Sequence, residues 1–140
     1  MKKTINKILL LPFLVLLVTF TGCFNLYSKE EVSIVIDESF FSDFNVTDNV
    51  VGVNCIVTLK NSHSRDIKVR LTAIMQKDVK LGLLKNARLP GHNRDDSLGY
   101  FILKANSTST FDVVFMGDYN GNYQKTDRML PEIAIDIYDD

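Results

Sequence analysis

Several residue types are scarce in this chain of 140 residues, and each scarcity excludes a class of protein. Two cysteines cannot build a disulfide framework or a zinc cluster. The 16 basic and 17 acidic side chains nearly balance, so no uniform positive charge draws the chain to nucleic acid. Tryptophan is absent and proline occurs only three times. The apolar fraction of 46% nevertheless exceeds that of disordered chains, and the length suits one compact domain.

The first 22 residues have the three regions of a secretory signal peptide. Lysines within the first seven residues form a basic head, and the uncharged run Ile8–Phe20 follows. The small residue Gly22 then precedes Cys23. Residues 8–28 carry no charge, so an uncleaved membrane anchor and ordinary cleaved secretion are the alternatives to a lipoprotein signal. All three place the rest of the chain outside the cytoplasm.

The segment Phe20-Thr21-Gly22-Cys23 resembles the lipobox of bacterial lipoproteins, in which an aliphatic residue usually stands at the Phe20 position. The resemblance implies that residues 1–22 are removed as a signal peptide and that the Cys23 thiol carries a diacylglycerol. Acyl chains contribute roughly 0.8 kcal/mol per buried methylene, and two or more of them hold a protein on a bilayer. We therefore expect a cell-membrane protein, lipid-anchored on the extracytoplasmic face, with residues 23–31 as a tether and residues 32–140 as its domain.

Removal of the signal peptide would leave a mildly acidic domain. Residues 1–22 contain three lysines and no acid, so the remaining chain has 13 basic and 17 acidic side chains and a net charge of -4. Such a domain does not seek phosphates. Cys55 lies within Val51–Leu59, whose odd-numbered positions are all apolar, so we expect its thiol to be buried and inert.

Alternation of apolar and polar side chains predicts two long strands. The first, Val50–Lys60, and the second, Ile67–Met75, both carry apolar residues at odd-numbered positions. The turn-rich residues 61–66 between them have the length that usually joins neighbouring antiparallel strands.

The rest of the domain reads as shorter strands and loops. Strands are predicted at residues 32–37, 100–104, 110–116 and 133–138. Phe40, Phe41 and Phe44 have the spacing of one helical face and predict a single helical turn under the sheet. Residues 85–99 and 117–130 are rich in Gly, Asn and Asp and are predicted to be long loops, where function often lies.

The predicted fold is all-β, a two-sheet antiparallel sandwich of about seven strands. A strand that ends in Asn61-Ser62, a second strand from Ile67, and a polar turn before a strand led by Phe111 resemble the small immunoglobulin-like domains of bacterial surface lipoproteins. The Cys, Trp, Cys core of antibody domains is absent, because the chain has no tryptophan.

Two constellations contain residue types used in chemistry. Asp118–Asn122 has oxygen side chains at alternate positions, but Tyr123 and Met129 stand where a calcium-binding EF-hand loop needs Gly and Glu, so we predict no metal. Ser62, His63, Ser64 and Asp66 supply the residue types of a nucleophile, a base and an acid, yet a turn accounts for all four. No catalytic motif is present, and we predict neither an enzyme nor a cofactor.

The loop before the last strand contains the candidate contact residues. Tyr119, Tyr123, Arg128 and Met129 belong to the types enriched at the centres of protein interfaces. The other long loop is locally basic, which suits an anionic polymer or a lipid headgroup.

These observations favour a non-enzymatic lipoprotein whose loops bind a protein, a peptide or a cell-wall component. Its expected contacts are the membrane, through the lipid anchor, and a protein or peptide partner. Small immunity lipoproteins intercept a membrane-active bacteriocin at the bilayer, and this resemblance implies bacteriocin immunity as one function within the class. The alternative is an accessory or structural subunit of a cell-envelope or transfer complex, in which a sheet edge pairs with a neighbour.

Overall fold

The computed structural model of the protein describes residues 31–123 and 125–138. The predicted signal peptide (residues 1–22), the lipidation site Cys23 and all of the tether except Glu31 lie outside the described residues. Neither helix in the described part of the chain is long and apolar enough to cross a bilayer.

The described residues form eight strands and two short helices. The strands are β1 (Val32–Ile34), β2 (Phe40–Thr47), β3 (Val50–Asn61), β4 (Ile67–Ile74), β5 (Arg88–Asn93), β6 (Phe101–Leu103), β7 (Thr108–Asp118) and β8 (Glu132–Tyr138). A 3-10 helix, Ile36–Glu38, lies between β1 and β2, and helix α1, Gln76–Lys80, follows β4.

Antiparallel pairing joins all eight strands into one sheet. β3 has β7 on one side and both β1 and β2 on the other. β4 has β8 on one side and both β5 and β6 on the other. β5 links the two groups, since residues 88–90 pair with β4 and residues 91–93 pair with β7. The sheet nearly closes on itself, and its two ends are the β1/β2 edge and β8.

Gly91 is the first residue of β5 to pair with β7, and it lies close to its neighbours. A side-chain carbon at this position would lie 2.8 Å from a ring carbon of Phe115 and 3.1 Å from the carbonyl oxygen of Leu71. Any larger residue would therefore separate β5 from its two neighbours. The prediction of a loop over residues 85–99 is wrong for this stretch, because Pro90 and Gly91 interrupt the alternation that marks the other strands.

The core lies between the inward-facing rows of β3 and β4. All the odd-numbered residues predicted to face inward in these strands are buried, as expected, together with side chains from β6 and β7. The fully buried large side chains outside β3 and β4 are Leu84, Leu89, Phe101, Leu103, Val113 and Phe115. The buried rows of β3 and β4 therefore supply much of the core, and the other buried side chains pack with them.

The predicted helical turn at Phe40, Phe41 and Phe44 is wrong, because these residues belong to β2. Phe41 pairs with Cys55 and Phe44 with Val53, and the register shifts between Phe41 and Asp43. This β-bulge adds one residue, so Phe41 and Phe44 share the inward face although they are three positions apart. The bulge therefore imitates the spacing of a helix.

The all-β class is confirmed, and so is the antiparallel pairing of the strands. The structure contains eight strands where about seven were predicted, and β5 joins them into one continuous sheet where two were expected. The relation to immunoglobulin-like domains stays a prediction.

Candidate functional site

The predicted contact residues lie at the end of the sheet next to helix α1, which we call the α1 end. The turn between β2 and β3, the end of β4 and the start of β8 meet there with the chain that follows β7. The amide of Tyr119 donates to the Asn49 carbonyl at 2.9 Å, and the amide of Asn120 donates to the Leu83 carbonyl at 2.8 Å. Residues 119–122 are therefore fixed against two other loops.

Arg128 is the centre of a cluster at the α1 end. Its Nη1 donates to Asp78 Oδ1 at 2.9 Å, and these two side chains are only 12% and 14% exposed. The guanidinium carbon lies 3.9 Å from the centre of the Phe44 ring, and this ring stacks on Tyr123 with 5.8 Å between centroids. Arg128 thus connects β2, α1 and the chain before β8. Its positive charge is paired with the carboxylate of Asp78.

The other three candidates differ in what they expose. Tyr119 is half-buried, packs against the core and forms an isolated bridge with Leu84. Tyr123 is 53% exposed and Met129 is 85% exposed. A partner at the α1 end would therefore meet Tyr123 and Met129 rather than the less exposed Tyr119 and Arg128.

A groove of about 240 Å³ lies beside Met129, between α1 and residues 126–131. Its lining includes Met75, Gln76, Lys77, Asp78 and Arg128. A second hollow of about 290 Å³ is lined by Phe44, Asn45, Val46 and Tyr123. Apolar surface next to polar side chains is the composition of an interface centre and its rim.

In the locally basic segment that follows α1, Arg94 pairs with an acidic side chain of β7. The Arg94 Nη1 donates to Asp112 Oδ2 at 3.2 Å, and its amide donates to the Asp112 carbonyl at 2.9 Å. The Lys85 amide donates to the Asp118 carbonyl at 3.0 Å, which fixes that residue beside β7. These contacts make the segment part of the sheet and its supports.

The opposite end of the sheet, which we call the Glu31 end, holds the start of the described domain. The Ser62 amide donates to the Glu31 carbonyl at 2.9 Å, and His63 Nε2 contacts the Glu31 carboxylate. Asp66 accepts from Lys104 Nζ at 2.8 Å and from the Ala105 amide at 2.9 Å. These two donors lower the pKa of Asp66 below its ordinary value. Asp66 therefore holds a turn and does not orient His63.

Asn61 is the residue at the Glu31 end whose importance the sequence did not reveal. Its side chain is buried, and Nδ2 faces the carbonyl oxygens of Arg65 at 2.9 Å, Lys104 at 3.0 Å and Leu103 at 3.3 Å. Its Oδ1 accepts from the His63 amide at 2.9 Å. A strand that ends in Asn before a turn was the only signal for it.

Cys55 lies in the core row of β3, as predicted, and is fully buried. Burial raises the pKa of its thiol to about 12, and the nearby Asp112 carboxylate adds to the shift. The reactive thiolate is therefore suppressed at neutral pH.

The oxygen-bearing side chains of Asp118–Asn122, considered above as a calcium loop, include one that holds the loop in place. Asn122 Nδ2 donates to the Leu81 carbonyl at 2.8 Å, and Asp118 belongs to β7. Across residues 31–123 and 125–138, no three His, Cys, Asp or Glu side chains are placed to share a metal ion.

No protein-family model, no curated protein and no solved structure matches this chain. The kind of site must therefore be inferred from the residues that form it. The exposed Tyr123 and Met129 lie beside a groove and next to the partly buried cluster of Phe44, Asp78 and Arg128. Together they form a surface suited to binding.

Proposed function

We propose that this chain is a lipid-anchored extracytoplasmic protein that binds a protein, a peptide or a cell-wall component at its α1 end, without catalysing a reaction. The observation that carries the proposal is the position of the exposed Tyr123 and Met129 at the end opposite Glu31. An immunoglobulin-like sandwich is part of the proposal, supported by the burial of the β3 and β4 rows in one core.

The proposed anchor determines which end a partner meets. The nine residues from Cys23 to Glu31 reach at most roughly 30 Å when fully extended. An acylated Cys23 would therefore hold the Glu31 end near the bilayer and direct the α1 end away from it. Bacteriocin immunity lies within this class, because a short tether keeps the whole domain within reach of a peptide that approaches the membrane.

Acylation is the first expected result. Cells that express the chain and are fed radiolabelled palmitate should yield a labelled, shortened product, because the Cys23 thiol is the acceptor. Cys23→Ala should abolish the label, and Cys55→Ala should leave it unchanged because that thiol is buried. A full-length, unlabelled product in the cytosol would refute the proposed anchor.

The binding surface is tested by capture from a cell-envelope extract with the immobilised full chain. Met129→Ser and Tyr123→Ala should each reduce the captured partner by roughly tenfold, the loss expected of an interface hot spot. Ile102→Ser is the matched control, since Ile102 is 54% exposed on β6. Equal capture by all three variants would place the contact elsewhere.

The alternative, an accessory subunit of an envelope or transfer complex, is supported by one observation. Within the described residues, β8 pairs only with β4, so its other edge is open to a neighbouring strand. A large envelope protein that Met129→Ser and Tyr123→Ala both retain would favour this role.

A further inference from the structure

Two edges of the sheet are formed by strands that pair on one side only, within the described residues. Within the described residues, β8 makes backbone hydrogen bonds to β4 alone, so alternate amide and carbonyl groups point away from the sheet. At the other end of the sheet, β1 and β2 pair with β3 alone. We call the gap between these two edges the seam.

The seam has an apolar lining. Ile133 and Ile135 of β8 pack against the core from one side, and Phe41 and Phe44 of β2 pack against it from the other. All four are only partly buried, and Ile137, in line with the β8 pair, is 42% exposed. The core is therefore incompletely covered along this gap.

The two edges approach each other at the α1 end. Arg128, four residues before β8, places its guanidinium carbon 3.9 Å from the centre of the Phe44 ring on β2. This contact bridges the seam at the α1 end. The strand β8 continues from there along the rest of the seam. The seam is continuous with the surface that carries Tyr123, because Tyr123 stacks on the same ring.

Exposed acidic side chains surround the seam. They are Asp37, Glu38 and Asp43 on the β1/β2 side, and Glu132 and Asp136 on β8. Two basic side chains of β4 adjoin it, Arg70 opposite Asp136 and Lys68 opposite Tyr138, so the acidic side chains around the seam outnumber the basic ones. Arg128 is bound to Asp78, and the guanidinium carbon of Arg70 lies 4.5 Å from the centre of the Tyr138 ring. The rim is therefore acidic, and a segment that binds there must supply positive charge.

We infer that the seam accepts an extended segment of a partner that alternates apolar and basic residues and adds as a strand to β8. Its backbone pairs with the open groups of β8, its apolar side chains cover Ile135 and Ile137, and its basic side chains face Glu132 and Asp136. A second copy of this chain fits poorly, because pairing two β8 strands would bring acidic side chains together. The inference goes beyond the proposed contact at Tyr123 and Met129, uses the β8 edge that the accessory-subunit alternative also uses, and names the chemistry of the bound segment.

The test uses the full chain in a neutral detergent and an acetylated, amidated heptapeptide that alternates lysine and valine. Binding should slow amide hydrogen exchange across Glu132–Tyr138 by at least about tenfold, because the open backbone groups become paired. Exchange in α1 should not change. A peptide that alternates glutamate and valine should leave the exchange of β8 unaffected.

Matched variants separate strand addition from general charge attraction. Glu132→Gln combined with Asp136→Asn should weaken lysine peptide binding by roughly tenfold, whereas Asp95→Asn combined with Asp96→Asn should not. Binding without slower exchange in β8, or no binding at all, would overturn the inference. A dimer through β8 that the peptide cannot displace would also overturn it. Because the peptide is supplied directly, these outcomes do not depend on the capture experiment at Met129 and Tyr123.

Discussion

Replacement of Asn61 by alanine is expected to lower the free energy of unfolding by roughly 3 kcal/mol. The buried amide group serves the carbonyls of Arg65, Leu103 and Lys104 and accepts from the His63 amide. Alanine leaves these backbone groups without their partner in a site that is largely buried, and each such loss costs about 1–3 kcal/mol when burial is complete. The turns that contain Arg65 and Lys104 can relax in the variant, which lowers the total loss of stability.

Urea denaturation of the wild-type and variant proteins measures this loss. Asn122→Ala is the matched control, because its Nδ2 makes one exposed hydrogen bond, to Leu81, and should cost no more than about 1 kcal/mol. Asn61→Asp keeps the side-chain volume but removes the donors, so it should destabilise at least as much as Asn61→Ala. An Asn61→Ala variant no less stable than Asn122→Ala would show that the two turns hold without this side chain.

Removal of Asp78 is the second large change, with an expected loss of roughly 2–3 kcal/mol. Asp78→Ala leaves the Arg128 guanidinium, whose side chain is only 12% exposed, without its counter-charge. Breaking a buried ion pair on one side costs about 3–5 kcal/mol, and the residual exposure of this pair lowers the expected value.

Denaturation of Asp78→Ala and of Asp78→Leu combined with Arg128→Met distinguishes charge from packing. The double variant removes both charges and keeps much of the volume, so it should recover most of the lost stability. Lys104→Ala is the control, because its ion pair with Asp66 is exposed and should contribute little. If the double variant were as unstable as Asp78→Ala, the loss would come from packing against Phe44.

The strands that the sequence predicted best have an apolar residue at every second position. β3 and β4 alternate without interruption, so their inward rows were predicted residue by residue. β2 and β5 were missed for local reasons. The bulge after Phe41 changes the period of β2, and the Pro90-Gly91 pair removes the side chains that would have marked β5.

The site was predicted only in outline, because its geometry depends on contacts between distant positions. Composition selected the loop containing Tyr123, Arg128 and Met129, and this loop does lie at one end of the sheet. The pairing of Arg128 with Asp78 joins residues 50 positions apart, and no local pattern encodes it. The same limit applies to Phe44, whose ring supports both Arg128 and Tyr123.

The strand order also governs when the protein folds. β3 requires β7, which begins 47 residues after β3 ends, and β4 requires β8 at the far end of the sequence. A partly synthesised chain that lacks β8 cannot complete its core, and such distant pairings also form slowly. If the chain is exported as proposed, this late completion of the core would favour the unfolded form that a translocation channel accepts.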